Sequence, residues 1–224
     1  MCGRYSFNLT AQIIQDSLDI IVPKQLEFNF NIAPTQKAYV ILNENPKKLV
    51  QINWGLIPNG VPNPKLKGKL INARLESIAE KISFRQSINK RRCLVLADSF
   101  YEWETISKEK YPYRILPKKD KILVMAGIWD ECTINEKKIR TFSIITTKPN
   151  TFMKTIHHRM PLILETSEKR DAWLSLKTDM KTILNNKALD DEYLEKYPIS
   201  NQVNFIKNNS KDLHREIPKQ GKLF

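Results

Sequence analysis

Short apolar runs separated by turn-forming clusters dominate this chain, and few of them repeat at helical spacing. "QKAYVILN" (36–43) and "LVQINWGLIP" (49–58) read as strands, because β-branched and aromatic residues recur between polar punctuation. Further strand-like runs follow at "CLVLADSFYEW" (93–103), "YPYRIL" (111–116), "KILVMAGIW" (121–129), "RTFSIITT" (140–147) and "HRMPLILE" (158–165). Helical patterns are fewer. "TAQIIQDSL" (10–18) offers Thr10 as a cap and Ile13, Ile14 and Leu18 as an apolar stripe. "LESIAEKISF" (75–84) spaces Leu75, Ile78 and Ile82 for a second helix, and "TSEKRDAWLSL" (166–176) begins a third, capped by Thr166 or Ser167. From "YPISNQVNFIKNNS" (197–210) onward the pattern returns to strand and loop. Strands come in runs instead of alternating with helices, which predicts an α+β fold on mainly antiparallel sheets.

The stretch "IPNGVPNPKLKGKL" (57–70) is rich in proline, glycine and lysine, and reads as a long basic surface loop inside one domain spanning 1–224. Hydrophobic residues at 41% and aromatics at 9% are globular values. No apolar run approaches the roughly 20 residues that span a bilayer. The polar start "MCGRYSFNLT" does not resemble a secretory signal, so a cytoplasmic location and no membrane partner are expected. Three cysteines without a CxxC pair point to a reducing compartment, and three histidines leave little to build a zinc site from. No metal or organic cofactor is expected.

Charge changes the picture more. Lysine and arginine outnumber acidic residues 37 to 24, a net charge of +13 that favours a polyanionic partner. A lysine-rich surface with no partner reads the same way. Local concentrations at "NPKLKGKL" (63–70) and "NKRRC" (89–93) tilt the balance slightly towards nucleic acid.

Candidate chemistry begins at "MCGRY". Loss of Met1 would leave Cys2 as a terminal 1,2-aminothiol, whose amine and thiol titrate near ~8 and ~8.5 in the absence of neighbours. Such a pair condenses with an aldehyde through an imine and closes a five-membered thiazolidine, which an internal cysteine cannot do. The plainer reading is an incidental thiol at a fraying end. In "LINARLE" (70–76), extended backbone would put Asn72, Arg74 and Glu76 on one face, an amide beside a guanidinium and a carboxylate; a polar first helical turn is the plainer reading. Glu102, between Tyr101 and Trp103, would gain a raised pKa if desolvated, or would point outward by simple alternation. His157 and His158, if on a strand, point to opposite faces, so one at most serves a site. Trp54 beside Gly55 would suit base stacking, or belong to the core.

The order of these segments carries more than any one of them. "MCGRY … NIAP … WGLIP … INAR.E … ADSFYEW … AGIW … FSIITT … HHRMP … LF" resembles the SRAP family, the SOS-response-associated peptidase or abasic-site processing proteins, along essentially the whole chain. The resemblance implies a barrel-like α+β fold with flanking helices, acting as a monomer, with a basic cleft for single-stranded DNA. It also implies covalent cross-linking to abasic sites through Cys2 after self-removal of Met1. By the same resemblance, Asn72 would hold the terminal amine and thiol, Glu102 would transfer protons, and His157 would assist proton movement on the opened sugar. Arg4 and Arg74 would grip phosphates, and Asn31, Pro34, Trp54 and Thr146 would line the DNA path. Two departures stand out. Ser99 occupies a place that is often glycine in relatives, and the stretch after "WGLIP" lacks a further tryptophan common there. A thiol hydrolase using Cys2, His157 and Asn72 on other peptides, and a non-catalytic nucleic-acid-binding module, are the competing readings at this stage.

Overall fold

The computed structural model describes residues 2–60, 70–177 and 189–218. Two sheets organise them. The first contains β1 (Tyr5–Phe7), β2 (Asn29–Ile32), β7 (Ser99–Ile106), β8 (Glu109–Pro117) and β12 (Leu194–Pro198), in the order β12-β8-β7-β1-β2 with every pairing antiparallel. The second contains β3 (Lys37–Leu42), β4 (Leu49–Trp54), β6 (Arg92–Ala97), β9 (Leu123–Ile134) and β10 (Lys137–Thr147). Its order is β10-β4-β3-β6-β9, and the β9–β10 hairpin closes it into a five-stranded barrel. Closure leaves no free edge on those strands. Beyond the ring, β10 also pairs with β5 (Asn72–Arg74) and β11 (Met160–Pro161); its pairings with β4 and β5 are parallel. The expected α+β class and mainly antiparallel character are therefore found.

The barrel wall explains the continuous apolar runs. All six residues of β6 are buried, because the barrel interior covers one face and α4 (Ser167–Leu174) the other. Trp173 of α4 lies against this wall and donates its indole N–H to the carbonyls of Cys93 and Gly127 at 3.0 and 3.1 Å. A Cβ on Gly127 would stand 2.8 Å from Cys93 Sγ, so close approach, not turn geometry, requires glycine there.

Helix α1 (Ala11–Ser17) forms as its pattern predicts, with the Thr10 hydroxyl accepting from the Ile13 N–H; α4 is capped likewise by Thr166. The expected helix over 75–84 is different. Leu75–Ser77 makes only a 3₁₀ turn, and α2 runs over Ile82–Lys90. Ile82, counted as apolar stripe, is 82% exposed; the buried stripe is Phe84 and Ile88, four residues apart. The run 93–103 divides at Asp98, where the chain leaves the barrel and enters the other sheet. The run 158–165 supplies only the two-residue β11. Most of the predicted basic loop, residues 61–69, and the C-terminal "LF" lie outside the described residues. Among those described, no helix is long and apolar enough to cross a membrane.

Behind β1 lies a buried polar hub. Asp98 accepts from the Ser6 hydroxyl (2.8 Å), the Asn8 N–H (2.7 Å), the Ser99 hydroxyl (2.8 Å) and Arg114 Nη2 (2.7 Å). With its one hydrogen given to Asp98, Ser6 Oγ accepts from His214 Nε2 at 2.9 Å. Arg114 also donates to Ser99 Oγ and to the Tyr197 hydroxyl. Ser99 is not among the residues with positive φ, so a side chain here carries no backbone strain and its hydroxyl serves the hub.

Candidate active site

Cys2 has no exposed surface and belongs to the main hydrophobic core. The register of β1 places it there: Tyr5 stands opposite both Ile32 and Phe100, so the residues just before the strand are drawn inward and do not fray. Asn72 Nδ2 donates to the Cys2 carbonyl at 2.8 Å, and Asn72 is itself fixed opposite Ile144 of β10. Its other terminal atom, Oδ1, is buried with no hydrogen-bond partner among the described residues. Among the described residues the thiol reaches one acceptor, the Arg4 carbonyl, at a long 3.9 Å. Burial first, and the neighbouring Glu102 carboxylate second, push the thiol far above its ordinary range, so it rests protonated.

Glu102 on β7 is 3% exposed, not outward as alternation would have it. Both faces of β7 are covered here. Tyr101 packs with Ile199, Val203 and Leu213 of the C-terminal segment, which leaves Glu102 on the opposite face. Burial raises its carboxyl above the usual range.

Glu102 and His157 line one cleft of about 1160 Å³, together with Trp103 and Asn204; Lys110, Lys148 and Lys154 add positive charge along it. His157 follows α3 (Thr151–Lys154) in a loop, not a strand, so the parity argument fails for the histidine pair. The two rings stack at 4.2 Å with planes 27° apart. Nδ1 of His157 accepts the Arg159 N–H at 3.0 Å. Burial, with the neighbouring His158 contributing, lowers the His157 pKa to about 4, so the ring is neutral at ordinary pH. Arg159 is buried and grips Glu76 with two parallel hydrogen bonds of 2.9 and 2.8 Å.

The residues expected to meet DNA divide. Arg74 is exposed on β5, its guanidinium without a hydrogen-bond partner among the described residues, and Pro34 is half-buried. Arg4 is half-buried, with Nη1 donating to Asn31 Oδ1 and the Val203 carbonyl, both at 2.9 Å. Three others lie inside the protein. Asn31 is 1% exposed, and its amide donates to the carbonyls of Val203, Phe205 and Asn208, fastening the C-terminal segment to β2. Trp54 is fully buried, edge-on to Tyr5 and stacked over Phe142, with its N–H on the Ile71 carbonyl. Thr146 is buried, and its carbonyl accepts from Arg159 Nη2. None of the three has surface to offer a strand.

Sequence reading missed the three cleft lysines, Asn204, and the Glu76–Arg159 pair. The lysines carry no local motif. The pair joins two motifs, "NARLE" and "HHRMP", that were read separately, and opposite charges in both were the available signal.

The profile of the family described as SOS response associated peptidase (SRAP) matches residues 1–206. The abasic site processing protein YoaM of Bacillus subtilis is 38% identical over 221 residues, covering 95% of this chain and 97% of that protein. YoqW of the same organism, also named an abasic site processing protein, is 39% identical over 223 residues, covering 95% and 98%. A solved structure of a protein from Bacteroides thetaiotaomicron superposes with a TM-score of 0.84 at 29% identity, covering 97% of this chain and all of the other.

Proposed function

The chain belongs to the SOS response associated peptidase (SRAP) family, and from that premise we propose that it processes abasic sites in DNA by covalent capture. Once Met1 is removed, the freed Cys2 amine attacks the C1′ aldehyde of the ring-opened sugar. Water leaves, an imine forms, and the thiol adds across the C=N bond, its proton passing to nitrogen. The product is a thiazolidine joining protein and strand, consumed one molecule per lesion.

The observation that carries this reading is the setting of Cys2: buried, held through its carbonyl by Asn72, and electrostatically coupled to a Glu102 whose carboxyl is raised. A raised carboxyl is poised to give and take protons, the role assigned to Glu102 in removing Met1, opening the sugar and reversing the adduct. The buried Asn72 Oδ1 is an acceptor suited to the new amine. His157 assists at the opened sugar. Arg74 and the lysines of the cleft attract single-stranded phosphate backbone, in keeping with the +13 charge.

Denaturing electrophoresis with a single-stranded abasic oligonucleotide tests the proposal, read with intact-protein mass. Wild type is expected to give a denaturant-resistant adduct whose mass is protein lacking Met1 plus oligonucleotide minus one water. Cys2→Ala is expected to give none. Equal cross-linking by Cys2→Ala refutes capture through this residue. Repeated release of product would instead favour a hydrolase, and fully salt-reversible binding a non-catalytic module.

A further inference from the structure

We infer that Glu76 is a positioning residue for this cleft: its bidentate pair with Arg159 fixes the backbone that selects the His157 tautomer, leaving the ring proton on Nε2. The substrate named below rests on the abasic-capture reading; the tautomer does not.

Two backbone atoms of Arg159 face His157 Nδ1, the N–H at 3.0 Å and the carbonyl oxygen at 3.3 Å. The N–H can only donate. With a proton on Nδ1, two hydrogens would oppose each other across the shorter contact and the amide would lose its acceptor. With Nδ1 bare, the amide is satisfied and the neutral imidazole carries its hydrogen on Nε2. The low His157 pKa keeps the ring in this neutral form.

The geometry depends on holding Arg159 still. Its Nη1 and Nη2 meet the two Glu76 carboxylate oxygens, and Nη2 also reaches the Thr146 carbonyl at 2.6 Å. Thr146 stands on β10 opposite both Arg74 of β5 and Pro161 of β11. One strand therefore sets the register of Asn72 and of the segment that follows His157. Glu76 closes the arrangement from 83 positions away in sequence. Although burial alone would raise the Glu76 carboxyl, the Arg159 hydrogen bonds bring it below its ordinary range, so this carboxylate is ionised at neutral pH. A neutral Nε2–H serves as a hydrogen-bond donor to a sugar oxygen that gains charge as the ring opens, while Glu102 moves the protons.

Two-bond proton–nitrogen correlation spectra of protein carrying ¹⁵N-histidine read the tautomer directly at pH 7, without substrate. Wild type is expected to show His157 as Nε2–H. Glu76→Ala and Arg159→Lys are expected to convert it to a mixture of tautomers. Adduct formation on an abasic oligonucleotide should slow about tenfold in both, the scale of a misplaced catalytic donor. Affinity for an intact strand should hold. Glu76→Gln keeps an acceptor oxygen and should recover most of the tautomer and of the rate; thermal melts confirm that each variant is folded. A wild-type ring protonated on Nδ1, or a tautomer unchanged in both Glu76→Ala and Arg159→Lys, overturns the inference. A wild type that shows the tautomer shift in its variants but makes no adduct removes the capture reading and leaves the positioning role standing.

Discussion

Behind β1, Asp98 receives four hydrogen bonds: Ser6, Ser99 and Arg114 donate from strands, and Asn8 donates its N–H from the position just after β1. Ahead of β1, the polar atoms around Cys2 are held less completely. Among the described residues Asn72 has a buried oxygen without a partner, the Glu102 carboxyl is raised, and the thiol is kept protonated by burial. Both clusters are buried and only a few residues of chain separate them. A fully satisfied network rigidifies its surroundings and specifies one arrangement. An under-satisfied one is unfavourable for folding and retains capacity to bind or to move protons. The hub holds β1 in register so that the other cluster stays poised.

The largest effect that would test this contrast is on the hub. Asp98→Ala strands the buried Arg114 guanidinium and removes the acceptor of Ser6 and Ser99, so stability should fall by about 3–5 kcal/mol in urea or thermal unfolding. A loss below about 1 kcal/mol would make the hub incidental and end the comparison. His214 gives a second, smaller test. Burial, then Arg114 and Lys211, lower its pKa to about 4, with Asp98 opposing. The unfolded chain takes up this proton near pH ~6.5, the folded one only near 4, so stability falls as pH drops between those values. The expected loss from this group is about 2–3 kcal/mol across that window, and His214→Gln should remove that share while leaving the one due to His157. A variant with the same acid limb as wild type would place the titration elsewhere.

Much of the fold was legible because strands in a closed barrel are covered on both faces and read as apolar runs. β3, β4, β6, β9 and β10 were all visible in this way. What failed was anything set by distant partners. Asn31 looks like a polar residue on an accessible path, yet carbonyls more than 170 positions later consume its amide. Trp54 beside a glycine fits a stacking platform and a core residue equally, and only the packing of Tyr5 and Phe142 decides. The histidine parity argument assumed a strand where Arg159 and Glu76 impose a loop. Cys2, Asn72, Glu102 and His157 were singled out by their order along the chain, not by any local chemistry strong enough to identify one alone.

The smallest stability effect, and the sharpest contrast with Asp98, belongs to Glu102→Gln. Burial raises the Glu102 carboxyl above its unfolded value. A raised carboxyl contributes stability below the unfolded pKa and loses it as pH rises through the folded one, so at neutral pH the ionised form is a burden on the fold. The isosteric amide removes that burden. Stability at pH 7 should stay within about 0.5 kcal/mol of wild type or rise, and the difference between the two proteins should shrink towards acid pH. Function should move the other way, with adduct formation falling at least about 100-fold and Met1 retained in the intact mass. A Glu102→Gln protein several kcal/mol less stable than wild type would mean that this carboxylate is knitted into the structure as Asp98 is. The two clusters flanking β1 would then be of one kind.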